Sequence, residues 1–233
     1  VGRDMAPHTH RPGMPYSFRG VNAAYINAYA FPGGSIAATR GILLSLDNEA
    51  QLSALLGHEM GHVNARHTAQ QMSKGMLTQA LVGGIAAYAG SQGEAYGELA
   101  GQLGMLGAGA LLAAYSRDNE READRLGAGY MTQSGYGTEG FVQLMAMLNS
   151  LHKENSNAVS LLFSTHPMSQ ERYDTAVRLK NNALSGFISQ PLYRERYMDH
   201  TAGLRKLKPA IERFQEAEGF MSRKAYDKAE ASF

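Results

Sequence analysis

The sequence predicts an α+β fold dominated by helix, and three observations carry that prediction. Strand-like alternation is confined to residues 15–46. From Asn48 onward the apolar spacing is helical. The 233 residues, 44% hydrophobic and 18% charged, can bury a sizeable core and exclude a disordered chain. A small antiparallel or mixed sheet followed by many helices is the α+β order.

The elements follow along the chain. The opening residues from Val1 read as the tail of a helix, and they contain no basic or apolar leader, so any signal segment is expected to be absent from this sequence. Tyr16, Phe18 and Val21 alternate, and Tyr25 to Phe31 continues the β pattern. Pro32-Gly33-Gly34 is a turn, and Ser35–Thr39 is the next strand. Asp47 is the expected N-cap of a helix from Asn48, with Leu52, Leu55, Leu56 and Val63 on its buried side. Further helices are expected over about 117–134, 138–152, 169–184 and 203–219.

Between these helices lies an unusual segment. Residues 75–114 hold ten of the 26 Gly and only two charges, Glu94 and Glu98. The uncharged runs 75–93 and 99–116 just reach spanning length. Gln79, Gln92 and Gln102 interrupt them, and Leu99, Leu103, Leu106, Ala110 and Ala113 form an amphipathic stripe. The expectation is a tightly packed helical hairpin, with a membrane-touching surface as the alternative.

Composition removes several functions. Lys and Arg number 22 against 21 Asp and Glu, a net charge of +1 that offers no nucleic-acid attraction. There is no Cys, which excludes disulfide scaffolds, thiolate metal sites and Cys nucleophiles. Any metal must be held by His, Asp and Glu.

His58-Glu59-Met60-Gly61-His62 supplies the chemistry. On a helix, His58 and His62 share one face and can bind one ion. Glu59 lies beside that face and can take the proton of a metal-activated water as it attacks a carbonyl. A catalytic zinc takes three protein ligands. The third is expected from Ser116–Asp124, where Glu120 and Asp124 are one turn apart. Glu120 is the expected ligand, and Asp124 the carboxylate that holds a ligand His by its outer N–H. Glu122 points elsewhere. His67, about 140° around an ideal helix from His62, is expected to face away. His8, His10, His152 and His200 read as surface residues. His166, in Thr165-His166-Pro167, has two readings that spacing leaves open. It is either a histidine at the start of a helix or a group near the open metal position.

Taken in order, H-E-x-x-H, E-x-E-A-D and T-H-P-x-x-x-x-R resemble the zinc metallopeptidase family of HtpX, CAAX prenyl protease and Oma-type enzymes. Asn27 to Gly34 and His62 to His67 are also in that style, and the resemblance covers roughly residues 15–180. The lack of clear spanning helices suggests the periplasmic BepA/LoiP-like branch. The resemblance implies a gluzincin-like fold with an active-site helix and endopeptidase activity. It implies one zinc on His58, His62 and Glu120, with Glu59 as general base. Asp124 matches a residue sometimes assigned as proton donor; an orienting role suits its place one turn from a ligand. His166 then gates or stabilises the site, and Arg172 braces its loop. The strand at Ser35–Thr39 is implied to be an edge that binds substrate backbone. Unfolded or misassembled proteins are the implied substrates, with possible contact to membrane or membrane-protein assembly machinery. Localisation is periplasmic or envelope-associated on the same ground.

Residues 1–185 are thus expected to form the protease domain and 186–233 a linker with the start of a repeat. Ala217, Phe220, Tyr226, Ala229 and Phe233 match tetratricopeptide spacing. A competing function is a latent protease acting mainly as a chaperone or interaction module, and another is a purely structural zinc.

Overall fold

The computed structural model of the chain describes residues 1–75, 77, 114–154 and 157–232. The hairpin expected over 75–114 lies almost wholly outside the described residues, as does Phe233. Among them the order is a short α1 (Gly2–Met5), three strands, and then helices. Met5 of α1 is fully buried, so the N-terminal stretch belongs to the core.

The sheet is mixed. Strands β1 (Ser17–Val21), β2 (Ala28–Ala30) and β3 (Ser35–Thr39) lie in the order β1-β3-β2. Phe18 pairs with Ile36 in parallel, and Tyr29 pairs with Ala37 antiparallel. Gly34, at φ +88°, closes the turn after Phe31 by donating its N–H to the Phe31 carbonyl at 2.9 Å, a backbone angle that favours glycine. The edge expected at Ser35–Thr39 is therefore corrected: β3 is the central strand, with its hydrogen-bonding groups committed on both sides.

Thr39 ends β3 and caps α2 (Arg40–Ser45), its Oγ1 accepting from the Ile42 N–H at 3.3 Å. A Cβ on Gly41 would sit 2.1 Å from the Ala24 carbonyl oxygen, so only glycine lets α2 lie against that loop. This helix was not expected within the β-like region; the cap outweighs the β-branched composition that precedes it.

The buried helix α3 (Glu49–Asn64) carries the H-E-x-x-H motif. Its cap is Asn48 rather than Asp47, Asn48 Oδ1 accepting from the Gln51 N–H at 2.9 Å. Helix α4 (Arg117–Gln133) starts at a reciprocal Ser116/Asn119 capping box. The two helices cross at small residues. A Cβ on Gly57 would meet the Gly127 carbonyl oxygen at 2.7 Å, and one on Gly61 would meet the Ala123 carbonyl oxygen at 2.8 Å. Glycine here sets the separation of the two helices, and thus whether side chains from both can converge.

Helices α5 (Glu139–Glu154), α6 (Ser160–Thr165) and α7 (Gln170–Asn181) pack beyond this pair. Buried Phe141, Leu144, Met145 and Leu162 join the α3 residues Leu55 and Met60 in the main core. Each such side chain contributes about 1.5–3 kcal/mol by leaving water.

The helix expected over 203–219 is two helices, α8 (Arg194–Arg205) and α9 (Lys208–Ser222), since Pro209 starts a new first turn. Arg196 Nε donates to Glu49 Oε1 at 2.7 Å, and the Tyr197 hydroxyl to the Leu43 carbonyl at 2.6 Å, so α8 steadies the start of α3. Ile211 of α9 is buried with Ala24 and Leu44, and Ala217 and Ala229 are buried where α9 meets α10 (Tyr226–Ser232). No helix among the described residues is long and apolar enough to cross a membrane.

Candidate metal centre

Residues four apart on α3 put His58 and His62 on one face, their Nε2 atoms 3.0 Å apart. Glu120 reaches the same point from the first turn of α4, with Oε1 3.3 Å from His62 Nε2 and Oε2 3.6 Å from His58 Nε2. His166 arrives from the end of α6, where Pro167 prevents the helix from continuing. Its Nδ1 is 3.2 Å from Glu120 Oε1 and 3.4 Å from His58 Nε2. All four side chains are buried, and one ligand atom from each lies within 4.8 Å of the others.

Behind this cluster sits a buried ion pair. Asp124, one turn after Glu120, places Oδ1 2.8 Å from His58 Nδ1. Arg172 of α7 donates to both Asp124 oxygens at 2.8 Å and brings Nη1 to 2.6 Å from Glu120 Oε2. Arg172 Nη1 also donates to the Pro167 carbonyl at 3.2 Å, fixing the loop that presents His166. The expected bracing role of Arg172 has that geometry.

Electrostatics follow from burial and these neighbours. Burial drives the His62 ring to a pKa well below 6.5, leaving it neutral with a nitrogen lone pair available. Burial opposes ionisation of Glu120, but His166 and Arg172 outweigh it and hold the carboxyl well below 4.5. Asp124 is likewise held below its usual value, burial being outweighed by Arg172. Burial lowers the His166 pKa, but Glu120 and Glu59 reverse this and raise it overall. Glu59 is the exception: burial raises its pKa, only partly offset by His166 and His58.

The donor set fits a metal ion. His58 Nδ1 donates to Asp124, which leaves its Nε2 as a lone pair facing His62 Nε2. An ion held by both rings would take the Nε2 lone pair of each, with His62 then carrying its proton on Nδ1. Three imidazole nitrogens and one carboxylate suit a divalent first-row metal ion. Glu59, 1% exposed, stands beside the cluster with Oε2 lacking any hydrogen-bond partner among the described residues. A small pocket adjoins it, lined by Leu55, Leu144, Met145 and Leu162 on its apolar side.

The structure brings together every expected site residue: His58, Glu59, His62, Glu120, Asp124 and His166. It departs from expectation at His67. That ring is 2% exposed and lies behind His62, with the two Nδ1 atoms 2.9 Å apart. The 140° rotation assumed a continuous helix, whereas α3 ends at Asn64 and Arg66 turns the chain at φ +60°. Tyr115 was also not expected. Its ring stacks on His62 with centroids 3.8 Å apart, and its hydroxyl pairs with Thr68 at 2.6 Å. Only its position next to the Ser116 cap signals it in sequence. His8, His10, His152 and His200 are exposed, as expected.

A helix-borne His pair facing a glutamate from a second helix, beside a small mixed sheet, defines a zincin-like metallopeptidase. Residues 1–180 match the profile of Peptidase family M48, and the chain belongs to that family. The beta-barrel assembly-enhancing protease of Escherichia coli K12 is 28% identical over 195 residues, covering 82% of this chain and 39% of the relative. Metalloprotease YcaL of the same strain is 30% identical over 174 residues, covering 75% and 65%. Mitochondrial metalloendopeptidase OMA1 of Arabidopsis thaliana is 26% identical over 167 residues, covering 72% and 32%. The chain thus spans about two fifths of the barrel assembly-enhancing relative.

Proposed function

We propose that the chain is a zinc-dependent endopeptidase that cleaves unfolded or misassembled proteins. The observation that carries this reading is a buried Glu59 carboxylate, its Oε2 without a hydrogen-bond partner among the described residues, beside the converging His58, His62 and Glu120. These three hold the zinc, one ion per chain. When bound, it polarises the peptide carbonyl and lowers the pKa of water to about 7.

The chain's own groups do the rest. Glu59 is the general base: its free Oε2 accepts the proton of the attacking water and returns it to the leaving amine. Its raised pKa suits both halves of that transfer. Asp124 accepts from His58 Nδ1 and keeps Nε2 unprotonated, an orienting rather than proton-donating role. Arg172 keeps Asp124 ionised for that purpose. His166 Nε2, 3.9 Å from Glu59 Oε1, is near enough to the reaction centre to donate to the oxyanion that forms on the substrate.

A second reading rests on His166 Nδ1, which lies within the ligand cluster. There it closes the site, giving a latent protease that acts mainly as a chaperone or interaction module. For both readings we place the protein in the periplasm or cell envelope, in protein quality control. The name of the barrel assembly-enhancing relative supports this, with membrane-protein assembly machinery as the candidate partner. Helices α9 and α10, joined at Ala217 and Ala229, are read as the start of a tetratricopeptide-like unit.

The test is hydrolysis of an unfolded protein such as β-casein. Cleavage should stop with a chelator, return with zinc, and be lost in Glu59→Gln. Cleavage by Glu59→Gln at the wild-type rate contradicts the mechanism. Suppression of aggregation by Glu59→Gln with no cleavage by wild type favours the second reading.

A further inference from the structure

Asp124 occupies the outer nitrogen of His58, but the equivalent nitrogen of His62 has no role in the mechanism above. That atom, Nδ1, lies 2.9 Å from His67 Nδ1, and His67 Nε2 lies 3.3 Å from Glu122 Oε2. We infer that His67 and Glu122 form a hydrogen-bonded relay that positions His62, with His67 the positioning residue and Glu122 its anchor. The inference rests on the metal-centre reading.

The proton assignments allow one direction only. His62 offers Nε2 to the cluster, so in its neutral ring the proton is on Nδ1. That N–H donates to His67 Nδ1, which must be bare. His67 therefore carries its proton on Nε2 and donates it to the Glu122 carboxylate. Each contact pairs one donor with one acceptor, and the relay ends at a side chain that is 49% exposed.

Two contacts then fix the His62 ring. Stacking with Tyr115, with planes 23° apart, holds the plane of the ring. Stacking alone does not distinguish the two ring orientations related by a half-turn about Cβ–Cγ, and the Nδ1 bond to His67 selects one of them. His67 is not a further ligand, because it meets His62 on the side opposite His58 and Glu120. The turn at Ala65 and Arg66 makes this possible by breaking α3 and bringing the helical residues 67–75 back alongside His62. All three acids of the Glu120–Asp124 segment then serve the centre: Glu120 in the cluster, Asp124 on His58, and Glu122 through His67 on His62.

Zinc affinity, measured by competition with a chromophoric chelator, tests the relay without relying on peptidase activity. His67→Leu keeps bulk but removes the acceptor, and should weaken zinc binding about 10–100-fold. His67→Gln, whose amide oxygen can accept from His62 Nδ1, should recover most of that loss. Glu122→Ala, at a half-exposed site, should fold normally and lose less than His67→Leu. The double variant should bind as His67→Leu does, because both act through one path. The cobalt-substituted absorption spectrum should shift in His67→Leu and resemble wild type in His67→Gln.

Wild-type affinity in His67→Leu overturns the relay. Equal losses in the Leu and Gln variants reduce His67 to packing and overturn it too. Losses that multiply in the double variant overturn the part of Glu122. If His67→Leu does not fold, an unchanged affinity in Glu122→Ala overturns the relay and a loss supports it. Failure of wild type to bind zinc defeats the metal-centre reading and the relay together; wild-type binding with an indifferent His67→Leu defeats the relay alone.

Discussion

Arg172→Met should destabilise the metal-free protein by about 3–5 kcal/mol, the cost of breaking a buried ion pair from one side. The guanidinium is 6% exposed and touches Asp124 twice at 2.8 Å and Glu120 once at 2.6 Å. Methionine keeps much of the volume but removes the cation that Asp124 and Glu120, 4% and 0% exposed, share. For a chain of this size the melting temperature should fall by roughly 6–20 °C, at about 2–4 °C per kcal/mol. The assay is thermal unfolding by circular dichroism at pH 7 with chelator, repeated with excess zinc. Zinc should recover part of the loss, because its charge replaces some of what Arg172 supplied. A metal-free shift below about 3 °C would refute the view that Arg172 compensates two buried carboxylates.

Three further outcomes follow from the same geometry. Glu59→Gln should reduce hydrolysis at least about 10²–10⁴-fold. It should also leave the melting temperature equal to wild type or higher, because it removes a buried carboxyl that burial disfavours ionising. Gly127→Ala places a methyl 2.5 Å from the Gly57 carbonyl carbon and His58 nitrogen; overpacking of that kind costs about 1–3 kcal/mol. Thermal melts and zinc competition should show lower stability and lower affinity together, because the helices bearing His58 and Glu120 are forced apart. Asp124 has a folded pKa depressed below about 3.9, so its stabilising contribution is full above that value and is lost as pH falls through the folded pKa. Urea unfolding between pH 5 and pH 2 should therefore show a shallower acid loss in Asp124→Asn than in wild type.

The centre was legible in the sequence because its parts are local. His58 and His62 need only one helical turn, and so do Glu120 and Asp124. What was not legible depends on where a helix stops and on what then returns. His67 was misplaced because a break at Ala65 and Arg66 has no Gly or Pro to announce it. The central position of β3 is decided by pairing between segments, which alternation along one strand does not encode. Helix α2 was hidden in a β-like run because one side-chain cap, Thr39, overrides its neighbours. Tyr115 owes its stacking on His62 to the hydrogen bond from its N–H to the Thr165 carbonyl at 2.9 Å, a contact between distant segments.

The most direct measurement is anomalous diffraction at the zinc absorption edge from crystals of the wild-type protein. One peak per chain is expected, bonded to His58 Nε2, His62 Nε2 and a Glu120 oxygen, with Glu59 close by but not a ligand. A peak at other residues, or no peak in crystals grown with zinc, would contradict the account.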